Sequence, residues 1–222
     1  MIPLKDSPRT RIFPFVNTFL IILNIYIFIR QIALTNEELA ILISNYGLVP
    51  LRYSTDVMNK NLLAAIIPLI SYQFLHGSWL HIGSNMLYLW VFGDNIEDRI
   101  GHVKYFFFYL LMGILAGLLQ VYLDPTSTVP IIGASGAVAG ILGAYLISCP
   151  NARVLALIPT FILYTVAEVP AVIFLGFWFF LQLFSGFTSL GVEVAIAWWA
   201  HIGGFVAGIA LINFFGKRTR CE

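Results

Sequence analysis

Charged residues are scarce in this sequence. Asp, Glu, Lys and Arg make up only 10% of its 222 residues, whereas they make up about 25% of a typical soluble domain. Hydrophobic residues make up 59% and the mean hydropathy is +0.89, which together exclude a water-soluble globular domain. The 19 Phe, 10 Tyr and 5 Trp exclude intrinsic disorder. With a net charge of +1, the chain also lacks the basic excess typical of nucleic-acid binding, so no nucleic-acid partner is expected.

The sequence also lacks the alternating segments of about ten residues that a β-barrel shows. Long apolar runs are present in their place, so we predict an all-α, polytopic membrane protein. The first run, from Phe13 to Ile29, is longer than the apolar core of about 7–15 residues in a signal peptide. No A-x-A cleavage site follows it, which predicts a retained first span.

Five further apolar runs predict five more spans, at residues 81–93, 105–123, 135–149, 169–187 and 198–215. The apolar stretches 62–75 and 154–166 each contain a proline and are too short to cross a bilayer. We interpret these two stretches as interfacial or re-entrant pieces. Residues 1–12 are then a short N-terminal segment, residues 13–215 the six-helix domain and residues 216–222 a basic tail.

The distribution of Lys and Arg predicts the direction of each span. Six spans leave nine of these residues on the side of both termini and three, Arg30, Arg52 and Lys60, on the other. Because cytoplasmic loops carry the excess of Lys and Arg, both termini are predicted to be cytoplasmic. A seventh span would move Lys217, Arg218 and Arg220 to the outside, which the rule disfavours. Cys149 and Cys221 fall on the cytoplasmic side, where disulfides are rare, so we expect two free thiols.

Three polar side chains are predicted to share one depth near the outer face. Spans two, four and six all run inward, and they begin near His81, Ser135 and His201 respectively. Asn85 follows His81 by one helical turn and projects from the same face. Ionisable groups within spans are costly and are functional candidates. His76 is either interfacial or supports the site, whereas His102, beside Arg99 and Lys104, is predicted to be solvated.

The fourth predicted span is short and rich in small residues. Its 15 residues cover about 22 Å, whereas the hydrocarbon core is about 30 Å thick. A span that reaches the cytoplasmic boundary therefore stops about 8 Å below the outer surface, and a water-filled recess there would accommodate polar groups. Gly pairs four residues apart, at 113 and 117, 136 and 140, and 204 and 208, favour close helix packing.

Ser135 lies in the sequence IIGASGAVAG, where glycines free the backbone at the start of the span. A serine there is either an ordinary N-cap or a nucleophile whose oxyanion is stabilised by free backbone N–H groups. A serine nucleophile needs a base, and His201 is the candidate. We find no third acid for a triad, since Glu97 and Glu168 fall on the inner side and Asp124 and Glu193 fall in outer loops. The residues therefore favour a Ser–His dyad, with His81, Asn85 and the Ser135 N–H as oxyanion donors.

Together these motifs resemble the rhomboid family of intramembrane serine proteases. The resemblance rests on HGSWLHIGSN at 76–85, GDNIEDRIG at 93–101, GASG at 133–136 and AHIGGFVAG at 200–208, and it covers residues of about 70 to 215. It implies a six-helix bundle whose first loop, residues 35–75, lies partly in the outer leaflet. It also implies Ser135 as nucleophile, His201 as general base, and His81 with Asn85 as the oxyanion-stabilising pair.

Two positions depart from the pattern of some family members. Where those members carry a Tyr that stacks on the histidine, this chain has Ala139, so another group must hold His201, and Trp198 or Trp199 is our candidate. Some members also carry a Trp-Arg pair in the first loop, and residues 35–75 contain none. Any lipid contact made by that pair is therefore not expected here.

We predict a serine endopeptidase that cleaves peptide bonds in or near transmembrane segments of membrane proteins, without a metal or organic cofactor. Substrate would approach past the fifth span, whose aromatic wall is Phe174, Phe177, Trp178, Phe179 and Phe180. The predicted partners of the protein are transmembrane substrates and lipids. We predict a multi-pass protein of a bacterial inner membrane, and the sequence does not predict its oligomeric state. The alternatives are a non-catalytic relative that binds membrane helices for trafficking or quality control, and a small transporter.

Overall fold

The computed structural model of the chain describes residues 1–159, 163–189, 196–216 and 221. Among these residues there are nine α-helices and three strands, with one strand before the first helix and two strands between the seventh and eighth helices. The helices are α1 (Phe15–Ile32), α2 (Asn36–Tyr46), α3 (Pro50–Met58), α4 (Leu62–Ser71), α5 (Trp79–Ile100), α6 (His102–Leu123), α7 (Ser135–Ser148), α8 (Ala171–Thr188) and α9 (Trp198–Phe215). The strands are β1 (Ile2–Asp6), β2 (Arg153–Pro159) and β3 (Tyr164–Pro170).

The protein is a polytopic helical membrane protein, as its composition predicts. Within the described residues, α1, α6, α8 and α9 are each long and apolar enough to cross a bilayer. The segment Leu62–Phe74 meets α5 at 85°, and this bent pair passes the same test together. Helix α7 is apolar but has only 14 residues, which confirms that the fourth helix of the bundle is short. The first loop consists of α2, α3, α4 and a 3-10 turn at Tyr72–Phe74.

Helix α5 is longer than the predicted span 81–93, because it continues through the sequence DNIEDR to Ile100. The polar residues there do not end the helix, since Asn95, Glu97 and Arg99 are buried and form hydrogen bonds with other parts of the protein. Glu97 is fully buried, and its two carboxylate oxygens accept the backbone N–H groups of Val16 at 2.9 Å and Asn17 at 2.7 Å. It thereby caps the first turn of α1, whose N–H groups have no partner within their own helix. His102 contacts the same carboxylate, so it is not the simply solvated residue that we predicted.

Replacing Glu97 with alanine is expected to lower the free energy of unfolding by about 2–4 kcal/mol, because two buried N–H groups of α1 lose their acceptor. Unfolding in detergent micelles, followed by circular dichroism, measures the change. Asp98→Ala removes the neighbouring, partly exposed carboxylate and is the control. Equal losses for the two variants would contradict a capping role for Glu97.

The sequence analysis did not predict a sheet, and the structure has one. Strand β2 pairs antiparallel with both β1 and β3. The stretch 154–166 therefore belongs to a β-hairpin and is not a re-entrant piece, although residues 160–162 lie outside the described part. The error arises because an apolar run of this length fits a strand as well as a buried helix. Strand β1 also shows that the N-terminal segment 1–12 packs against the domain.

The sheet, the end of α7 and Cys221 lie together at one end of the bundle. The N–H of Ser7 donates to the carbonyl of Arg153 at 2.9 Å, and the N–H of Cys221 donates to Ser148 at 3.3 Å. Cys149 and Cys221 form a disulfide, with their Cα atoms 4.8 Å apart, so the prediction of two free thiols is wrong for this structure. Cys221 lies against the end of α7, and such a contact between distant segments does not follow from the cellular compartment of the two cysteines. The predicted basic residues Lys217, Arg218 and Arg220 lie outside the described residues.

Helices α7 and α9 pack with their backbones almost in contact. A Cβ atom at Gly204 would overlap the carbonyl oxygen of Gly136, and a Cβ at Gly208 would overlap that of Gly140. A Cβ at Gly143 of α7 would in turn overlap the carbonyl of Phe205. This confirms the packing role predicted for the small residues. The close approach fixes the distance between the N-terminal end of α7 and the start of α9.

Candidate active site

The loop before α7 is held by the first loop. Leu48 and Ile131 exchange backbone hydrogen bonds of 3.0 and 2.8 Å, and the N–H of Gly133 donates to the carbonyl of Tyr72 at 2.9 Å. Gly133 has φ +125°, a conformation that favours glycine. The chain then enters α7 with Ala134 as the N-cap and Ser135 as the first helical residue. The N-cap alternative for Ser135 is therefore wrong, and its hydroxyl is available for another contact.

Ser135 and His201 meet at the site. The Oγ of Ser135 lies 2.8 Å from the Nε2 of His201, a normal hydrogen-bond distance. Ser135 begins α7 and His201 lies in the first turn of α9, so the close α7–α9 packing brings the two side chains together. A serine hydroxyl bonded to an imidazole is the arrangement that activates an oxygen nucleophile.

The other ring nitrogen of His201 contacts a residue that the sequence analysis missed. The Nδ1 of His201 lies 2.8 Å from the Oε1 of Gln182 on α8, and the Nε2 of Gln182 donates to the carbonyl of Trp178 at 3.1 Å. Because the amide nitrogen is already used as a donor, Oε1 is the acceptor and Nδ1 carries the proton. A lone Gln in the apolar sequence FWFFLQLF was the available signal, since polar residues in spans are functional candidates.

Aromatic rings enclose the imidazole of His201. Trp198 meets it edge-on at 5.9 Å and Trp178 lies tilted beside it at 6.2 Å. Trp199, our other candidate for holding His201, packs against Phe187 instead. The predicted aromatic wall of α8 also divides in two. Phe174 is buried and Phe179 stacks on Phe205 at 4.6 Å, whereas Phe177 and Phe180 are exposed on the surface of the bundle.

His81 and Asn85 lie beside Gly133, one turn apart on α5. A Cβ at Gly133 would lie 2.5 Å from the Nε2 of His81 and 3.7 Å from the Nδ2 of Asn85. The N–H of Gly77 donates to the Nδ1 of His81 at 3.5 Å, which leaves the proton on Nε2, facing Gly133. The Nδ2 of Asn85 is buried and has no hydrogen-bond partner. Buried amide donors rarely lack a partner, so this one is available for a ligand oxygen.

His76 supports the loop that precedes the serine. Its side chain is buried, and its Nε2 accepts the N–H of Ala134 at 3.5 Å. Its backbone N–H and carbonyl are both held by the side chain of Gln31 on α1, at 3.0 and 3.2 Å. His76 is therefore a buried support of the site, the second of our two alternatives, and α1 contributes to the site through it.

One cavity of about 1030 Å³ contains these side chains. It is lined by both oxyanion candidates, by the serine and histidine pair and by Gln182, and it extends to polar residues at the same end of the bundle: Ser78, Asp124, Thr126 and Ser127. Within the described chain, no group of three His, Cys, Asp or Glu residues is placed to hold a metal ion. Glu193, which we placed in an outer loop, lies outside the described residues.

The amino-acid sequence matches the model of a known family. A family model described as the Rhomboid domain covers residues 64–218. The chain belongs to the rhomboid family. The division into residues 1–12, 13–215 and 216–222 stays a prediction, because the family match does not test these boundaries.

Three relatives illustrate the likeness. Rhomboid protein 1, mitochondrial, of Saccharomyces cerevisiae is 27% identical over 162 residues, covering 69% of this chain and 43% of that protein. Rhomboid-like protease 3 of Toxoplasma gondii is 27% identical over 165 residues, covering 74% and 56%. The presenilin-associated rhomboid-like protein, mitochondrial, of Homo sapiens is 26% identical over 175 residues, covering 74% and 41%.

The chain matches between about two fifths and just over half of the length of these relatives. Two of the three names include the word mitochondrial, which gives no support to the bacterial inner membrane predicted from the sequence. The multi-pass membrane location stands independently, on the helices described above.

Proposed function

We propose that this rhomboid protein is a serine endopeptidase that hydrolyses peptide bonds in or near transmembrane segments of membrane proteins. The observation that carries the proposal is the 2.8 Å contact between Ser135 Oγ and His201 Nε2, within a cavity at the outer end of the short helix α7. Transmembrane substrates and the surrounding lipids are the proposed partners. No step of the proposed reaction requires a metal or an organic cofactor.

The reaction begins when Ser135 Oγ attacks the scissile carbonyl carbon and its proton passes to His201 Nε2. The carbonyl oxygen becomes an oxyanion, which accepts hydrogen bonds from the Nδ2 of Asn85, the Nε2–H of His81 and the N–H of Ser135. The C–N bond then breaks, and His201 returns the proton to the leaving amine. Water, deprotonated by His201, attacks the acyl-enzyme and releases the new carboxylate together with free Ser135.

The unpartnered amide of Asn85 supports this assignment. A donor buried without a partner has a cost in the resting protein, and an oxyanion formed beside Gly133 removes that cost. The hydrogen bond is thus gained in the transition state and not in the ground state, which is the condition for accelerating the chemical step.

The position of the cavity also supports an orientation of the protein in the membrane. Strand β1, the end of α7 and Cys221 lie at one end of the bundle, and Ser135 lies at the opposite end of α7. With the Lys and Arg distribution of the sequence, we propose that both termini are cytoplasmic and that the cavity opens on the other side of the membrane. Substrate would approach past α8, whose Phe177 and Phe180 are exposed on the surface of the bundle.

Reconstitution tests the proposal. The purified chain in lipid vesicles is incubated with a labelled transmembrane peptide and with a fluorophosphonate probe that reacts with activated serines. We expect cleavage products and covalent labelling. Binding of the peptide by folded protein, with neither cleavage nor labelling, would favour the non-catalytic alternative.

Replacing Asn85 with alanine is expected to lower kcat by about 10²–10³-fold, the usual effect of removing one oxyanion donor. KM should change little, because the donor acts on the oxyanion and not on the bound substrate. Ser84→Ala is the matched control, since Ser84 lines the same cavity but its hydroxyl donates to the carbonyl of His81 at 2.9 Å. A kcat for Asn85→Ala equal to that of Ser84→Ala would remove Asn85 from the mechanism.

A further inference from the structure

Gln182 is a polar side chain in the cavity wall that the proposed reaction does not yet use. It is 7% exposed and lies on α8, on the same face as Trp178 and Phe174, which precede it by one and two turns. Its amide joins two elements, because its nitrogen bonds to α8 itself and its oxygen bonds to His201 on α9.

A second glutamine of the chain shows what such an amide does without a role at a site. The Nε2 of Gln73 donates to the carbonyl of Leu69 four residues earlier at 3.0 Å and to that of Leu110 on α6 at 3.4 Å, and its Oε1 is buried without a partner. Gln182 makes the same bond to the carbonyl four residues earlier. Its oxygen, however, accepts the Nδ1–H of the residue that contacts Ser135.

This bond has a defined chemical consequence. An imidazole can accept the serine proton at Nε2 only when its own proton is on Nδ1. The Trp178 carbonyl fixes which end of the Gln182 amide faces the ring, and the amide oxygen in turn favours the Nδ1–H tautomer. In the Ser–His–Asp triad a carboxylate has this task. Among the described residues, Gln182 is the group within hydrogen-bond distance of the His201 Nδ1.

We infer that Gln182 is a positioning residue that holds His201 in the tautomer and orientation needed to deprotonate Ser135. The inference rests on the function proposed above. Because Gln182 belongs to α8 and His201 to α9, the base is correctly oriented only while these two helices stay packed. Any displacement of α8 by an approaching substrate must therefore be reversed before Ser135 can react.

Two substitutions of similar size isolate the contact. Gln182→Met and Gln182→Glu both remove the donor to the Trp178 carbonyl, but only Gln182→Glu keeps an acceptor for the His201 Nδ1–H. We expect Gln182→Met to lower kcat by about 100-fold, the effect of a misplaced catalytic group, with KM near that of the wild type. Gln182→Glu should retain most of the wild-type kcat. Its acid limb in the pH–rate profile should move to higher pH, because a carboxylate beside the ring stabilises the protonated imidazole.

The outcomes separate the inference from the proposed function. Absence of cleavage and labelling in the wild type would overturn both. An active wild type with an equally active Gln182→Met would overturn the inference alone. Equal losses for the Met and Glu variants would also overturn it, because the Trp178 bond would then be the important one. Nitrogen-15 NMR of histidine in the wild type gives a test that needs no variant to fold: the Nδ1–H tautomer of His201 supports the inference, and the Nε2–H tautomer contradicts it.

Discussion

Replacing Ser135 with alanine is expected to abolish fluorophosphonate labelling and to lower the rate of cleavage by about 10⁴–10⁶-fold, the range seen when a serine nucleophile is removed. The reason is that Ser135 Oγ is the atom that bonds to the acyl group in the proposed reaction. The fold should be unaffected, because the hydroxyl makes no N-cap bond at the start of α7 and its recorded partner is His201. Gel-based labelling and peptide cleavage, each at matched protein concentration, measure the two effects.

Ser148→Ala is the matched control for this experiment. Ser148 ends the same helix, and its hydroxyl donates to the carbonyl of Ala144 at 2.7 Å, so its loss removes a local bond far from the cavity. This variant should label and cleave like the wild type. Labelling that persists in Ser135→Ala would show that the probe reacts elsewhere and would refute Ser135 as the nucleophile.

Substitution of Gly204 by valine is the second change with a large expected effect. A Cβ at Gly204 overlaps the carbonyl of Gly136, a backbone atom that no rotamer change can move aside. Helices α7 and α9 must separate, which we expect to lower the free energy of unfolding by more than about 3 kcal/mol. Cleavage should be lost as well, even in molecules that remain folded, because Ser135 and His201 lie on the two separated helices. Thermal unfolding in micelles and a cleavage assay below the melting temperature measure both effects.

Gly176→Ala controls for the general cost of replacing a helical glycine. Nothing lies within 4 Å of a Cβ added at Gly176 on α8, so this variant should be neutral or more stable by about 0.5–1 kcal/mol. Similar melting temperatures for Gly204→Val and Gly176→Ala would show that the close packing of α7 and α9 does not limit stability.

The sequence was sufficient to predict the membrane-spanning helices of the bundle and most of the side chains that meet in the candidate site. Hydropathy is a local signal, and for α9 it predicted both ends, Trp198 and Phe215, as the structure has them. Span direction also placed His81, Ser135 and His201 near one depth, and the structure brings all three to one cavity. These successes share a cause, since the bilayer imposes length, apolarity and direction on each segment separately.

The features that could not be predicted depend on contacts between distant segments. Helix α5 continues through Glu97 because the carboxylate of this residue accepts hydrogen bonds from N–H groups of α1, which lie 80 residues away in the sequence. Strand β1 forms because β2 is available to pair with it. Gln182 contacts His201 only because α8 packs beside α9. In each case the local sequence is compatible with more than one structure, and contacts with distant segments determine which structure forms.

The glutamine beside His201 also determines the electrical state of the resting site. Hydroxyl, imidazole and amide, bonded in series as the structure has them, carry no formal charge, whereas a carboxylate in place of Gln182 would add an anion within a helix that crosses lipid. Burying an ion in that environment costs free energy. An amide at this position lets the helices insert and assemble without a buried charge. Because the amide of Gln182 carries no charge, the imidazolium that forms during the reaction is stabilised only by the amide dipole.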